Sequence, residues 1–217
     1  MEGVGMKRAF ILDFDGTIVD SMTAWSRVGH KFLERHGCKD IPTDLWDIIR
    51  PMSRLESADY FISQWGIELT PEEIRDELNG IMEEAYENEV ALKPGALEFL
   101  QKYSDRKMCI ATNTDRYLVE KALTKLGIGE FFEFTITTGE VCRGKHDPLI
   151  FLTAADKLGV PIGETIVFED ALHGISSAKG AGFYTVAVYD ADNAGDQELI
   201  KATADEYIHS LGEWEES

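Results

Sequence analysis

The sequence predicts an α/β fold: a doubly wound parallel sheet with an inserted helical unit. Three observations predict it. Short runs of strand length are continuously apolar rather than alternating, as strands covered on both faces are. Segments with helical spacing separate these runs, and strand–helix alternation implies a parallel sheet. One long stretch, from about residue 22 to residue 92, carries helix signals only.

The apolar runs are residues 9–14, 107–113, 132–138, 165–168 and 184–189. Between them, residues 116–126, 149–158 and 172–179 place apolar side chains at helical spacing. Gly127, Gly159 and the pair Gly180/Gly182 follow these segments, where helix C-termini expect glycine. Inside the insert the clearest signal is Thr70-Pro71-Glu72-Glu73. Threonine caps, proline takes the first helical position, and Glu73 closes a capping box. Ile74, Leu78, Ile81, Met82 and Tyr86 then line one helix face. Lys93-Pro94-Gly95 marks the return. An insert of this length is far beyond a usual strand-to-helix connection. The expected division is therefore residues 1–20 with 93–217 as a main domain, and residues 21–92 as a small helical domain.

Composition narrows the partners. The 217 residues include 40 acidic and 21 basic side chains, a formal net charge of −19. Nucleic acid and anionic membrane are polyanions and are excluded as main partners. A small anionic substrate is not, because a metal or a few local cations reverse the potential inside one pocket. Cys38, Cys109 and Cys142 are odd in number and form no Cys-x-x-Cys pair. That argues against a disulfide framework or a zinc site. No apolar run approaches membrane-spanning length. Met-Glu-Gly-Val-Gly at the start has neither the charged nor the apolar region of a signal peptide. The expected home is the cytoplasm. Oligomeric state is not written in these features.

Chemistry concentrates where apolar runs end. The first run ends in Asp13-Phe14-Asp15-Gly16-Thr17. Side chains alternate across a strand, so Asp13 and Asp15 share one side. Ligands of open parallel sheets bind beyond the carboxyl ends of the strands. Asp15-Gly16 is also a common turn dipeptide, but a turn leaves Asp13 unexplained. A carboxylate ending an apolar strand loses hydration unless a cation or hydrogen bonds offset the loss. The fourth run also ends in acids, Glu169 and Asp170. Three carboxylates on one sheet edge call for a hard divalent cation, and Mg²⁺ suits a site that also takes phosphate. The second run leads into Thr112-Asn113-Thr114, donors on which a phosphoryl oxygen could dock or caps for the next helix. Lys145, in Arg143-Gly144-Lys145-His146-Asp147-Pro148, is either a phosphate-neutralising cation or a solvated loop lysine.

Taken in this order, the four segments resemble the haloacid dehalogenase superfamily over nearly the whole chain. Asp13-Phe14-Asp15-Gly16-Thr17 is similar to its first motif, Thr112 to the second, Lys145 to the third, and Glu169-Asp170 to the acidic fourth. The run Phe168-Glu169-Asp170-Ala171-Leu172-His173-Gly174-Ile175, with Ala181-Gly182 after it, resembles the subgroup of β-phosphoglucomutase and phosphoglycolate-type phosphatases. That resemblance implies a Rossmann-like core with a helical cap inserted after the first motif. It also implies roles. Asp13 is the nucleophile that forms an aspartyl-phosphate. Asp15 is general acid for the leaving oxygen, then base for the attacking water. Mg²⁺ is held by the Asp13 carboxylate, the Asp15 backbone carbonyl and Asp170, with Glu169 nearby. Thr112 and Lys145 bind the phosphoryl group, with Asn113 beside them.

The resemblance also sorts the activities it leaves open. Dehalogenases and phosphonoacetaldehyde hydrolases lack an acid at the position of Asp15, so phosphate ester chemistry is favoured. β-Phosphoglucomutase carries a cap histidine twelve residues after the nucleophile, where this chain has Trp25. Ser53-Arg54 resembles that enzyme's substrate-binding arginine, which keeps a sugar phosphate in view. Trp46 and Trp65 read as packing, and Trp25 as the one tryptophan placed to meet substrate. His146 and Leu149 depart from the family around the third motif, and Arg143 is the substitute there for Lys145. The expectation is an Mg²⁺-dependent phosphatase of a small phosphorylated metabolite. A phosphosugar mutase is the first alternative. A non-enzymatic phospho-acceptor module is the second, although receiver domains are shorter and lack the insert.

Overall fold

A computed structural model describes residues 8–50, 52 and 54–216 of the chain. The chain divides into two compact units, one running up to Asp20 and resuming at Ala91, the other Ser21–Val90. Each is described by itself.

The first unit begins with β1 (Ala9–Leu12), whose four residues are fully buried. The second unit supplies α1 (Met22–Arg35), α2 (Leu45–Ile49), α3 (Arg54–Trp65) and α4 (Pro71–Asn88). The first unit then resumes with α5 (Ala96–Lys102), β2 (Lys107–Thr112), α6 (Arg116–Leu126), β3 (Phe134–Thr137) and α7 (Thr138–Val141). It closes with α8 (Leu149–Leu158), β4 (Thr165–Glu169), α9 (Leu172–Gly180), β5 (Tyr184–Val188), α10 (Gln197–Thr203) and β6 (Glu206–Ile208).

The strands form one parallel sheet in the order β3-β2-β1-β4-β5-β6. This is the doubly wound sheet expected from the apolar runs. β1 is central, and the order reverses between it and β4. Leu12 pairs with Ile110 on one side and with Phe168 on the other. That register brings the ends of β1, β2 and β4 to one level, the topological switch point at which such sheets bind ligands.

Alternation sends neighbouring side chains into two cores. Ile11, Cys109 and Val167 meet Phe151, Ala154 and Leu158 of α8. On the other face Phe10, Phe99, Tyr103, Phe168 and Trp214 form one aromatic cluster, with ring centroids 5.0–5.9 Å apart. Edge-on ring geometries of this kind favour the quadrupoles as well as the burial.

Three departures from expectation have physical reasons. β1 stops at Leu12, although Asp13 N–H still donates to Phe168 O at 2.9 Å, because the chain then turns through Gly16. β3 is shorter than its apolar run. Gly129–Phe131 take one turn of 3₁₀ helix, and Thr137 caps α7 in a box with Glu140. The last strand, β6, was not expected: Glu-Tyr-Ile is three residues at a sheet edge, too short for periodicity to register.

In the second unit, Thr70 and Glu73 make the capping box of α4, with Thr70 N–H donating to Glu73 Oε2 at 2.8 Å and Glu73 N–H donating to Thr70 Oγ1 at 3.3 Å. Ile74, Ile81, Met82 and Tyr86 are buried on its inner face, with Leu78 half-buried. Phe32 of α1 stacks on Phe61 of α3 at 5.4 Å. The Trp65 indole N–H donates to Lys39 O at 3.2 Å, a packing role. A cavity of about 150 Å³ lies within this unit, lined by Trp25, Trp46, Phe61, Met52 and Arg50 among others. Among the described residues, no helix is long and apolar enough to cross a membrane.

Candidate active site

The ends of β1 and β4 and the loop before α8 converge on one lysine. Lys145 is 2% exposed. Its Nζ donates to Asp13 Oδ1 and, at 2.8 Å, to Glu169 Oε2. A buried ammonium is tolerable only with such partners. The loop is pinned from behind, because Ser177 of α9 donates its hydroxyl to Lys145 O at 2.5 Å. Asp13, Glu169 and Asp170 each present a carboxylate oxygen, and these oxygens lie within 4.8 Å of one another.

Two glycines make room for the acids. A Cβ on Gly174 of α9 would stand 2.6 Å from Cδ of Glu169. A Cβ on Gly16 would stand 2.5 Å from Oδ2 of Asp170. Gly16 also has φ +83°, a conformation that disfavours side chains. The glycine of the first motif therefore serves the turn and the neighbouring carboxylate together.

The charges do not balance. Among the described residues, three buried carboxylates gather about one ammonium, which pairs with two of them. Burial first, and then the charge of Glu169, push the Asp13 carboxyl up to about 7 against the pull of Lys145. Burial and the charges of Glu169 and Asp13 hold Asp170 well above the ordinary range. Burial alone would lower the Lys145 ammonium, but Asp13 and Glu169 outweigh it and leave its pKa raised. Oxygen-only donors with surplus negative charge fit a hard divalent cation of the Mg²⁺ type.

The remaining candidates fall in different places. Asp15 is half-buried and accepts a hydrogen bond from Thr114 Oγ1 at 2.7 Å. Thr112 is buried at the end of β2, and its hydroxyl oxygen accepts from Thr114 N–H at 3.1 Å, leaving its own proton to donate. Asn113 is exposed. None of Thr112, Asn113 and Thr114 is the N-cap of α6, which is Asp115. Arg143 is exposed, whereas Lys145 is held inside. Trp25 is half-buried on α1 in the helical unit. Arg54 opens α3, but its side chain, like Ser53, lies outside the described residues.

Three residues here have roles that the sequence did not assign to them individually. Thr114 stood within a donor-rich segment and was passed over for its neighbours. Lys93 was noted only as a boundary, yet its Nζ donates to Gly16 O at 2.6 Å and to Asp190 Oδ2 at 2.8 Å. Asn193 donates to Asp170 Oδ2 at 2.7 Å across a separation no spacing rule reveals.

Comparison with known proteins identifies the family. The family model of haloacid dehalogenase-like hydrolases matches residues 10–188. The chain is 32% identical over 186 residues to the "Putative phosphatase YhcW" of Bacillus subtilis (strain 168), with 84% of each chain covered. It is 29% identical over 184 residues to hexitol phosphatase A of Escherichia coli (strain K12), covering 83% of this chain and 82% of that one. The crystal structure of a β-phosphoglucomutase from Clostridium difficile matches with a TM-score of 0.73 and 25% identity, covering 97% of this chain and 94% of that one. With four fifths of its length under one family model and its acids gathered at the sheet's switch point, the chain is an enzyme that belongs to the haloacid dehalogenase-like hydrolases.

Proposed function

We propose that the protein is an Mg²⁺-dependent phosphatase that hydrolyses a small phosphomonoester, a sugar phosphate or similar metabolite, through an aspartyl-phosphate at Asp13. One observation carries the reading: Asp13, Glu169 and Asp170 converge around Lys145 with negative charge to spare. The Asp13 carboxylate, the Asp15 backbone carbonyl and Asp170 would hold the ion, with Glu169 alongside. When bound, Mg²⁺ offsets the repulsion between the Asp13 carboxylate and an anionic phosphate.

The chain's own residues divide the chemistry into two displacements. In the first, an Asp13 carboxylate oxygen bonds to phosphorus as the bond from phosphorus to the leaving oxygen breaks. Asp15 gives its proton to that oxygen, and the alcohol departs. In the second, Asp15 takes a proton from water, whose oxygen bonds to phosphorus. The Asp13–phosphorus bond breaks and inorganic phosphate leaves. Lys145 pulls the Asp13 carboxyl toward its ionised form and aims it, and stabilises charge on the transferring oxygens. The Thr112 hydroxyl and Asn113 donate to the phosphoryl group. Thr114 holds the Asp15 carboxyl in one orientation.

Trp25 and Arg54 are proposed to recognise the organic part of the substrate. Trp25 also favours hydrolysis over mutase transfer, because an indole N–H cannot exchange a proton as a histidine does. A site with an acid–base residue beside the nucleophile also argues for turnover over a phospho-acceptor module. The net charge of −19 supports a small substrate rather than nucleic acid. The cytoplasm is the proposed location.

Release of inorganic phosphate from p-nitrophenyl phosphate tests this. Activity should require Mg²⁺, vanish with chelator, and be lost in Asp13→Asn. Sustained turnover by that variant removes Asp13 as nucleophile. Formation of glucose 6-phosphate from β-glucose 1-phosphate, in place of free phosphate, would favour the mutase.

A further inference from the structure

We propose that Asn193 is a positioning residue for the divalent cation, holding the Asp170 carboxylate in place from a loop that Lys93 and Asp190 lock. The inference rests on the reading of Asp13, Glu169 and Asp170 as the cation site.

Asn193 follows β5 and is 4% exposed. Its Nδ2 donates to Asp170 Oδ2 at 2.7 Å and to Asp170 O at 3.2 Å. One amide group thus grips the side chain and the main chain of a single residue. Gly16 packs against the same carboxylate, close enough that a Cβ there would meet Oδ2 at 2.5 Å. Asp170 is therefore held by a donor and crowded by the Gly16 backbone. An amide neutralises no charge, so the carboxylate keeps its full attraction for a cation while losing its freedom to rotate. A group ordered beforehand has less entropy to lose on binding.

The loop that presents Asn193 is built on Asp190. Asp190 Oδ1 accepts from Asp192 N–H at 2.9 Å. Asp190 O accepts from Asn193 N–H at 3.3 Å and from Gln197 Nε2 at 3.2 Å. The other carboxylate oxygen pairs with Lys93 at 2.8 Å, and both side chains are largely buried. An ammonium has three donors, and Lys93 uses them on Gly16 O at 2.6 Å, Tyr189 O at 2.7 Å and Asp190 Oδ2. The two structures that bracket Asp170, the Gly16 turn and the Asn193 loop, are fastened to one lysine. Outer partners of this kind typically affect metal affinity by about 10–100-fold.

The test uses the full chain, freed of metal, with Mn²⁺ alone as probe in titration calorimetry. Asn193→Leu keeps the branched shape and removes the donor. Its Mn²⁺ dissociation constant should rise about 10–100-fold, and Asn193→Ser should behave alike because its hydroxyl falls short of Asp170. Lys93→Met should weaken Mn²⁺ binding in the same direction. In Asn193→Leu the Mg²⁺ concentration for half-maximal phosphate release should rise in step, with kcat largely regained at saturating Mg²⁺; a purely structural role would lower kcat at every Mg²⁺ concentration. Wild-type Mn²⁺ affinity in folded Asn193→Leu, or in Asn193→Ser if the leucine variant does not fold, overturns the proposal. Failure of the wild-type chain to bind Mn²⁺ is a different result, and removes the cation site itself.

Discussion

Replacing Lys145 by methionine keeps an unbranched apolar stem and deletes the one cation shared by Asp13 and Glu169. Two estimates of the consequence agree. Removing one partner of a buried ion pair costs about 3–5 kcal/mol, because the other charge is left uncompensated. The protein has an escape, since a carboxyl can bind a proton instead. At pH 7 that uptake costs about 1.4 kcal/mol per unit above an ordinary carboxylate pKa near 4, or about 4 kcal/mol. At pH 5 the same uptake costs only about 1–2 kcal/mol. The sign follows from linkage. Without the ammonium the folded cluster binds one more proton than the wild-type cluster does, a proton that the unfolded chain releases. The variant's deficit is therefore largest at high pH and shrinks as pH falls toward the ordinary carboxylate range. Urea unfolding in chelator should show Lys145→Met less stable than wild type by about 4 kcal/mol at pH 7, a fall in melting temperature of roughly 8–16 °C for a chain of this size. The deficit should shrink by about 2–3 kcal/mol at pH 5, and saturating Mg²⁺ should recover part of it at pH 7. A deficit equal at both pH values, or below about 1 kcal/mol at pH 7, would refute the reasoning. It would mean that the acids are compensated or hydrated elsewhere.

Gly174→Ala sets two effects against each other: alanine gains about 1 kcal/mol of helix propensity, but its Cβ would collide with Glu169, an overpacking that costs about 1–3 kcal/mol. Parallel melting and kinetic measurements should show little net change in stability and a large fall in phosphate release, and wild-type turnover would count against the crowding. Thr114→Val removes the hydroxyl that donates to Asp15 at 2.7 Å, and steady-state kinetics should show kcat reduced about tenfold, the worth of one oriented hydrogen bond. Thr114→Ser should restore it; a serine variant as slow as the valine one would place the effect elsewhere.

Much of the fold could be read from the chain because one signal repeats. A parallel strand buried on both faces is apolar along its length, and residues 9–12, 108–111 and 166–168 are. Helix ends were legible where glycine marks them, and α6 and α8 run over the residues their spacing selects. The signal fails at edges. Phe132 and Phe134 look like one strand, but only the second is in the ladder. β6 offers three residues, two of them half-buried, and no apolar run at all. At the site, the acids could be found because a carboxylate at the end of an apolar strand demands a reason. Arg143 and Lys145 could not be told apart by spacing. What separates them is Ser177 holding the Lys145 carbonyl and turning that side chain inward. Lys93, Thr114 and Asn193 act through partners 77, 99 and 23 residues away, and polar side chains of those types read as ordinary surface.

Half-buried Lys93 and buried Lys145 show how a structural cluster differs from a working one. Lys93 meets one carboxylate and two carbonyls, and its three donors match three acceptors. Nothing is left over, and its pair with Asp190 is complete as it stands. Lys145 meets Asp13 and Glu169 with Asp170 close behind, so the acids exceed the cations by two. No gain in packing accounts for that surplus, since a buried carboxylate without a partner is destabilising. The strain is visible in Asp13 and Asp170, both raised by burial and by their acidic neighbours. Surplus charge held at a sheet's switch point makes sense only if something positive completes it and something reacts there. Perturbed acids at such a position are therefore better evidence of chemistry than the same number of paired charges elsewhere.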